Sequence, residues 1–137
     1  MHITDTLPHR YPFLMIDKVT SIKESQSATG YKHITNNEWF INENQSHMPH
    51  MLIVEALAQL SAFVSTNNSE GLGFLSSLDG VEFHEKAYPG DKLDLHYELT
   101  RNRRGFILGK GIATVNGQAI VTVEKLLIYQ AEQTTHS

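Results

Sequence analysis

The stretch that decides the fold is MPHMLIVEALAQLSAFVSTNN, residues 48–68, in which apolar side chains fall on nearly every face of a helix. Pro49 stands near the first turn, where a missing backbone N–H is tolerated, and Asn67 and Asn68 close the segment. A helix that is apolar on all its faces is typically buried rather than on the surface. We therefore predict about four turns of helix enclosed by the rest of the chain.

The segments on both sides of this helix have the alternating pattern of β-strands. Residues 13–23 and 28–35 flank the polar spacer ESQS and predict a first hairpin. After Gly71 the alternation returns, and Asn116-Gly117 predicts a two-residue turn between the last two strands. Two strands, one buried helix and three or four longer antiparallel strands need a sheet curved around the helix, which is the α+β hot-dog fold.

The length of the chain predicts one domain. It has 137 residues and a mass of 15.5 kDa, with no internal repeat or low-complexity tract. We expect a single hot-dog domain over residues 1–130 and a disordered tail over residues 131–137. Such a sheet leaves open strand edges, and a chain of this size buries only about two thirds of its unfolded surface. We therefore expect a homodimer formed by edge-to-edge strand pairing.

Composition excludes several classes of function. The net charge of −4 gives no support to nucleic-acid binding, and the absence of cysteine excludes disulfides, thiolate metal sites and a cysteine nucleophile. The longest apolar stretch, residues 51–64, is too short to span a membrane and contains Glu55. The first residues do not have the pattern of a secretory signal, so we expect a cytoplasmic protein.

Glu55 is the sharpest candidate for chemistry. It lies within MLIVEALAQL, with Met51 one turn before it and Gln59 one turn after it. Burial favours the protonated form of a carboxylic acid, which suits proton transfer near neutral pH. The alternative is that Glu55 accepts hydrogen bonds from the backbone or from Gln59 and has only a structural role.

Two histidines, His47 and His50, stand at the predicted start of the helix. Free backbone N–H groups and the helix dipole at this position can hold an oxyanion or a thioester carbonyl, and a nearby histidine is a candidate base. Each could equally be a capping or surface residue. With Glu43 the pair could in principle hold zinc, but the spacing fixes no third ligand, so we expect neither metal nor cofactor.

Three motifs in the right order, LPHRYPFLMIDKV, MLIVEALAQ and YPGDKL followed by ELTRNRRGFILGKGIATVNGQAI, resemble the β-hydroxyacyl-acyl-carrier-protein dehydratases of the FabZ type. The resemblance covers residues 7–129. It implies a hot-dog fold, a dimer or trimer of dimers, and a 3-hydroxyacyl thioester substrate on a phosphopantetheine arm, carried by acyl-carrier protein or coenzyme A. It also implies that Glu55 and a histidine from the opposite subunit remove water across C2 and C3.

The family histidine does not carry over. Where the family reads F-F-x-G-H-F-P and then M-P-G, this chain reads WFINENQSHMPH, residues 39–50. Aligned from the aromatic pair, Glu43 takes the place of the catalytic histidine, and His50 replaces the glycine after Met-Pro. The loop is two residues shorter, which draws His47 toward the helix.

Three functions stay open from the sequence. The first is a dehydratase in which His47 is the base and Glu55 the acid, with His50, Gln59 and Phe74 contacting the substrate. The second is an acyl thioesterase in which Glu55 activates water. The third is a catalytically silent hot-dog protein that binds an acyl chain or pairs with an active relative.

Overall fold

The computed structural model describes residue 3, residues 13–64 and residues 73–130, without the side chains of residues 73, 74 and 130. The predicted contact of Phe74 with substrate and the predicted tail lie outside what is described. The helix and strands, in chain order, are β1 (Lys18–Lys23), β2 (Ser27–His33), α1 (His50–Ser61), β3 (Gly73–Phe83), β4 (Lys92–Arg103), β5 (Phe106–Val115) and β6 (Gln118–Gln130).

The six described strands form one antiparallel sheet in the order β1-β2-β4-β5-β6-β3. In β2, β4 and β5, buried side chains on the inner face alternate with half-buried or exposed ones on the outer face, as the period of two in the sequence predicts. Between β5 and β6, Asn116 and Gly117 have φ angles of 51° and 82°. Two successive positive φ angles are those of a type I′ turn, so the predicted hairpin is confirmed.

Helix α1 packs across the inner face of the sheet. Its sheet-facing side chains are fully buried with those of the inner strand positions, and together they form the core. On the helix these are Ile53, Val54, Ala56, Leu57 and Leu60. This is the predicted α+β arrangement of one helix wrapped by a curved sheet.

The prediction that α1 is buried on every face is wrong for one face. Met51 is 54% exposed, and Leu52, Glu55 and Ala58 are only half-buried. These positions recur at helical spacing, so they form one continuous face that the sheet of a single chain does not cover. We call these four residues the open face of α1.

Helix α1 is also shorter than predicted. It ends at Ser61, and the next residues form a turn in which Ala62, Phe63 and Val64 each donate to the carbonyl three positions back. The Ser61 hydroxyl also donates to the Ala58 carbonyl. Such tightened bonds are common at the end of a helix, and serine side chains compete for backbone carbonyls there.

A tight contact between β4 and β5 shapes the middle of the core. The Tyr97 ring on β4 is fully buried and occupies the space where a side chain at position 109 would lie. Gly109 on β5 therefore has no room for a Cβ. The Tyr97 ring thus fills the volume that a side chain at position 109 would otherwise occupy.

Candidate active site

The start of α1 is anchored to the β3–β4 connection. The Met48 N–H donates to the Ala87 carbonyl (2.9 Å), and Pro49 is the N-cap residue, its carbonyl accepting from Leu52 (3.0 Å) and Ile53 (3.3 Å). A helix leaves its first N–H groups without acceptors inside the helix, which here are those of His50 and Met51. This end of the helix therefore offers backbone donors and the positive end of the dipole.

His47 is a half-buried imidazole just before the helix. Its backbone carbonyl accepts from the Gln45 amide (2.6 Å), which holds the residue in place. Its ring lies edge-on to Tyr88, with centroids 6.2 Å apart, and 6.0 Å from the ring of His50. The Nδ1 atom is buried and has no hydrogen-bond partner among the described residues.

The pKa of His47 lies below the ordinary value of 6.5. Burial is the main cause, because it disfavours the imidazolium, and the nearby charges of Lys86 and protonated His50 act in the same direction. His47 is therefore neutral at pH 7 and able to accept a proton.

His50 is engaged by the end of β3. Its Nε2 lies 2.8 Å from the Glu85 carbonyl oxygen, and its ring stacks on Phe83 with centroids 4.6 Å apart and planes at 10°. A carbonyl only accepts, so Nε2 carries the proton of this bond. The predicted contact of His50 with substrate would have to be made with the remaining edge of the ring.

Glu55 is held by Gln59. The Gln59 amide donates to Glu55 Oε1 (3.2 Å) and to the Phe13 carbonyl (2.7 Å), while its Oε1 accepts from the Met15 N–H (2.9 Å). Gln59 is itself only 2% exposed. Every polar atom of its amide group is thus used within the protein, and the residue orients the Glu55 carboxyl group on the open face of α1.

The last candidate from the sequence, Glu43, has no described contact with His47, His50 or Glu55. Glu43, at the place of the family histidine, lies exposed in the loop before the helix. No three histidine, aspartate or glutamate side chains in residues 13–64 and 73–130 are arranged to hold a metal ion, so the set Glu43, His47 and His50 is not supported as a zinc site. In the same part of the chain, no helix has the length and apolar character needed to cross a bilayer.

A family model, the FabA-like domain, matches residues 7–124. This chain belongs to that family. FabZ of Bacillus subtilis strain 168, named 3-hydroxyacyl-acyl-carrier-protein dehydratase, is 41% identical over 128 residues, which cover 89% of this chain and 91% of FabZ. The resemblance to FabZ-type dehydratases predicted from the sequence is confirmed.

A second relative is nearer in sequence and a solved structure shares the fold. The Bacillus subtilis strain 168 relative "Uncharacterized protein YcsD" is 48% identical over 119 residues, covering 87% of this chain and 92% of the relative. A chain of the dehydratase heterocomplex ApeI:P from Xenorhabdus doucetiae superposes with a TM-score of 0.84 at 20% identity, covering 98% of this chain and 93% of that one. The hot-dog fold is confirmed.

The contacts that support the two candidate residues, His47 and Glu55, were not predicted from the sequence. Lys86 and Tyr88, which flank His47, come from the β3–β4 connection about 40 positions away, and only the fold brings them there. The hydrogen bonds between Gln59 and the backbone of Phe13 and Met15 also join residues that are far apart in the sequence. The local feature of the sequence that indicates these bonds is a glutamine within an apolar helix, because a buried amide group needs hydrogen-bond partners.

Proposed function

We propose that this chain is a 3-hydroxyacyl-thioester dehydratase in which His47 is the base and Glu55 the acid. Family membership favours the reaction class. The observation that carries the assignment of the base is the half-buried His47 ring just before α1, whose pKa is lowered mainly by burial. A neutral imidazole has one unprotonated ring nitrogen, which suits abstraction of a proton next to a thioester carbonyl.

The first half of the reaction breaks the C2–H bond. His47 takes the proton, and the electron pair left on C2 delocalises onto the thioester oxygen as an enolate. The backbone N–H groups of His50 and Met51 and the dipole of α1 favour negative charge at this end of the helix. The thioester carbonyl therefore lies at the start of α1 in this proposal.

The second half breaks the C3–O bond. The enolate electrons form the C2=C3 double bond while the Glu55 carboxyl group, as the acid of this proposal, gives a proton to the departing hydroxyl, which leaves as water. Gln59 holds that carboxyl group in one orientation through its 3.2 Å contact. The imidazolium proton then returns to the carboxylate, and the site is ready for the next substrate.

The active unit in this proposal is a homodimer. The open face of α1 and the edge strand β3 both leave apolar surface uncovered in one chain, including Met51 (54% exposed) and Phe83 (51% exposed). Pairing of two β3 edges would satisfy the open strand and cover this surface. The base of one copy would then meet the acid of the other, with further assembly into a trimer of dimers as the family implies.

The carrier and location complete the proposal. The substrate arrives as an acyl thioester on a phosphopantetheine arm, of acyl-carrier protein or of coenzyme A, and the enzyme is cytoplasmic. Neither metal nor cofactor takes part, because the base, the acid and the oxyanion donors all come from the chain.

The test is incubation of the purified protein with 3-hydroxybutyryl and 3-hydroxydecanoyl thioesters of both carriers, and with the matching enoyl thioesters. Formation of enoyl product, and its hydration in reverse, is the expected result. Release of free thiol without any enoyl interconversion would establish a thioesterase instead. Binding of the thioester without either reaction would establish the silent protein.

Two variants test the residues and their placement in the dimer. Glu55→Gln and His47→Asn should each be inactive, whereas Glu43→Gln, at an exposed position outside the proposed site, should keep wild-type activity. Subunit exchange between the two inactive variants should restore about one quarter of wild-type activity, because half of the dimers formed are mixed and each has one intact site. No recovery after demonstrated exchange would place both groups in one subunit.

A further inference from the structure

His50 joins two parts of the molecule that the backbone alone leaves loosely connected. It is the first residue of α1, and its imidazole reaches the Glu85 carbonyl, two residues beyond the end of β3. A neighbouring link between α1 and the β3–β4 connection is the backbone hydrogen bond from the Met48 N–H to the Ala87 carbonyl. The ring of His47 lies beside both links, since Tyr88 and His50 flank it.

The two contacts of the His50 ring fix its position and its tautomer. Stacking on Phe83 at an angle of 10° fixes the plane, and donation to the Glu85 carbonyl places the proton on Nε2. A ring held at both its face and its edge has little freedom to turn toward a ligand. These contacts favour a supporting role over the substrate contact expected from the sequence.

We propose that His50 is a positioning residue, which clamps the start of α1 to the end of β3 and so fixes the orientation of the His47 ring. The inference rests on the proposed function for its kinetic consequence, and its structural part stands without it. In the family pattern this position is glycine, which has no side chain to make either contact.

The groups that face His47 are Lys86 and Tyr88 from the β3–β4 connection and His50 from α1. Of these, His50 lies beside the His47 ring and also contacts both Phe83 at the end of β3 and the Glu85 carbonyl just beyond it. Its replacement should therefore change the position of the His47 ring together with its protonation. The charge of Lys86 remains in every variant of His50.

Four variants separate the contacts. Gln places an amide N–H near the position of Nε2 and keeps the bond to Glu85, whereas Asn is too short to reach it. Phe keeps the stacking on Phe83 without a donor, and Gly removes both contacts. We expect kcat to fall about threefold or less in His50→Gln and about tenfold or more in His50→Asn and His50→Gly, with KM changed less than twofold, since orientation at the reacting atoms acts on kcat.

The readout that does not depend on activity is the NMR titration of His47 in protein labelled with ¹³C-histidine, assigned with His47→Asn. The titration midpoint of His47 should move upward in all four variants, because each removes the charge of protonated His50. The chemical shift of neutral His47 reports the position of the ring, and it should stay close to the wild-type value in His50→Gln and change in His50→Asn and His50→Gly. Without any dehydratase activity in the wild type, this titration still decides about the clamp.

Two results would overturn the proposal. An unchanged chemical shift of neutral His47 in all four variants, whatever the change in midpoint, would show that His50 does not position the ring. A rise in KM of tenfold or more at constant kcat would identify His50 as a substrate-binding residue. Variants that unfold are recognised by circular dichroism. If His50→Asn or His50→Gly unfolds, the test is the comparison of His50→Gln, which keeps the bond to Glu85, with His50→Phe, which lacks it.

Discussion

His47 and Tyr97 both bury a polar atom that has no hydrogen-bond partner among the described residues, but they lie in opposite surroundings. His47 is half-buried before α1, next to backbone donors and the side chains of Lys86 and Tyr88. Tyr97 is fully enclosed on the inner face of β4, and its ring fills the space left by Gly109. The same deficiency in hydrogen bonding thus occurs once near the surface and once in the centre of the core.

Burial shifts the pKa values of the two groups in opposite directions. Burial lowers the pKa of His47, which leaves a neutral base at pH 7, whereas burial raises the pKa of the Tyr97 phenol, which stays protonated and inert. An unpaired buried atom therefore marks a reactive group only where its protonation state suits the reaction and a ligand can approach. At Tyr97 the gain lies in packing, and the hydroxyl is carried at some cost in stability.

The largest effect expected is the loss of activity in His47→Asn. The substitution removes the base while its smaller polar side chain remains compatible with a half-buried position. Positioned general bases contribute about 10² to 10⁴ in rate, so kcat should fall by this factor in a continuous assay of enoyl formation. Urea denaturation should give a midpoint close to that of the wild type. A kcat within threefold of wild type would show that His47 is not the base. The unpaired atom of His47 would then have no more functional meaning than that of Tyr97.

The next effect in size is on stability, in Gly109→Ala. A Cβ at this position would collide with the Tyr97 ring and hydroxyl, and overpacking of a tight core costs about 1–3 kcal/mol. Urea denaturation measures the loss, and Gly111→Ala is the matched control, since its Cβ would meet the Leu57 side chain at 3.1 Å. The cost should largely disappear in a Tyr97→Val background. Equal costs with and without Tyr97 would show that the ring is not the obstacle.

These two sites also show what the sequence predicts and what it does not. The alternation of apolar residues predicts the strands, and Asn116-Gly117 predicts the turn, because both are local. The match of Tyr97 with Gly109 depends on strand register, which no local pattern gives.

The open face of α1 escaped prediction for a different reason. Met51 and Ala58 are apolar, so the sequence pattern is that of a fully buried helix, although the sheet of one chain leaves them partly exposed. Apolar residues suit a surface that a second copy covers as well as they suit a core. The sequence therefore predicts burial correctly only for the assembly that we propose.

A smaller effect is expected on the pH dependence of kcat/KM. Protonation of His47 removes the base, so the acid limb should fall below pH 6.5, the ordinary histidine value. The charge of Lys86 lowers the pKa of His47, so Lys86→Gln should move the acid limb to higher pH, by less than about one pH unit because the lysine is exposed. Added salt screens the charge of Lys86, so it should also move the acid limb of the wild type to higher pH and have little effect on that of Lys86→Gln. A shift to lower pH would contradict the assignment of His47 as the base.

The smallest effect, and of opposite sign, is expected in Tyr97→Phe. The ring that fills the space beside Gly109 is kept, and only the buried hydroxyl, which has no partner within residues 13–64 and 73–130, is removed. An unpaired buried hydroxyl loses its hydration without compensation, so its removal should leave stability unchanged or raise it by up to about 1 kcal/mol, with kcat as in the wild type. Urea denaturation and the enoyl assay measure the two quantities.

Destabilisation by more than about 1 kcal/mol would show that the hydroxyl has a partner, such as an internal water. A change in KM would instead place Tyr97 on the path of the acyl chain, and the unpaired hydroxyl in the core would then have a functional role comparable to that of His47.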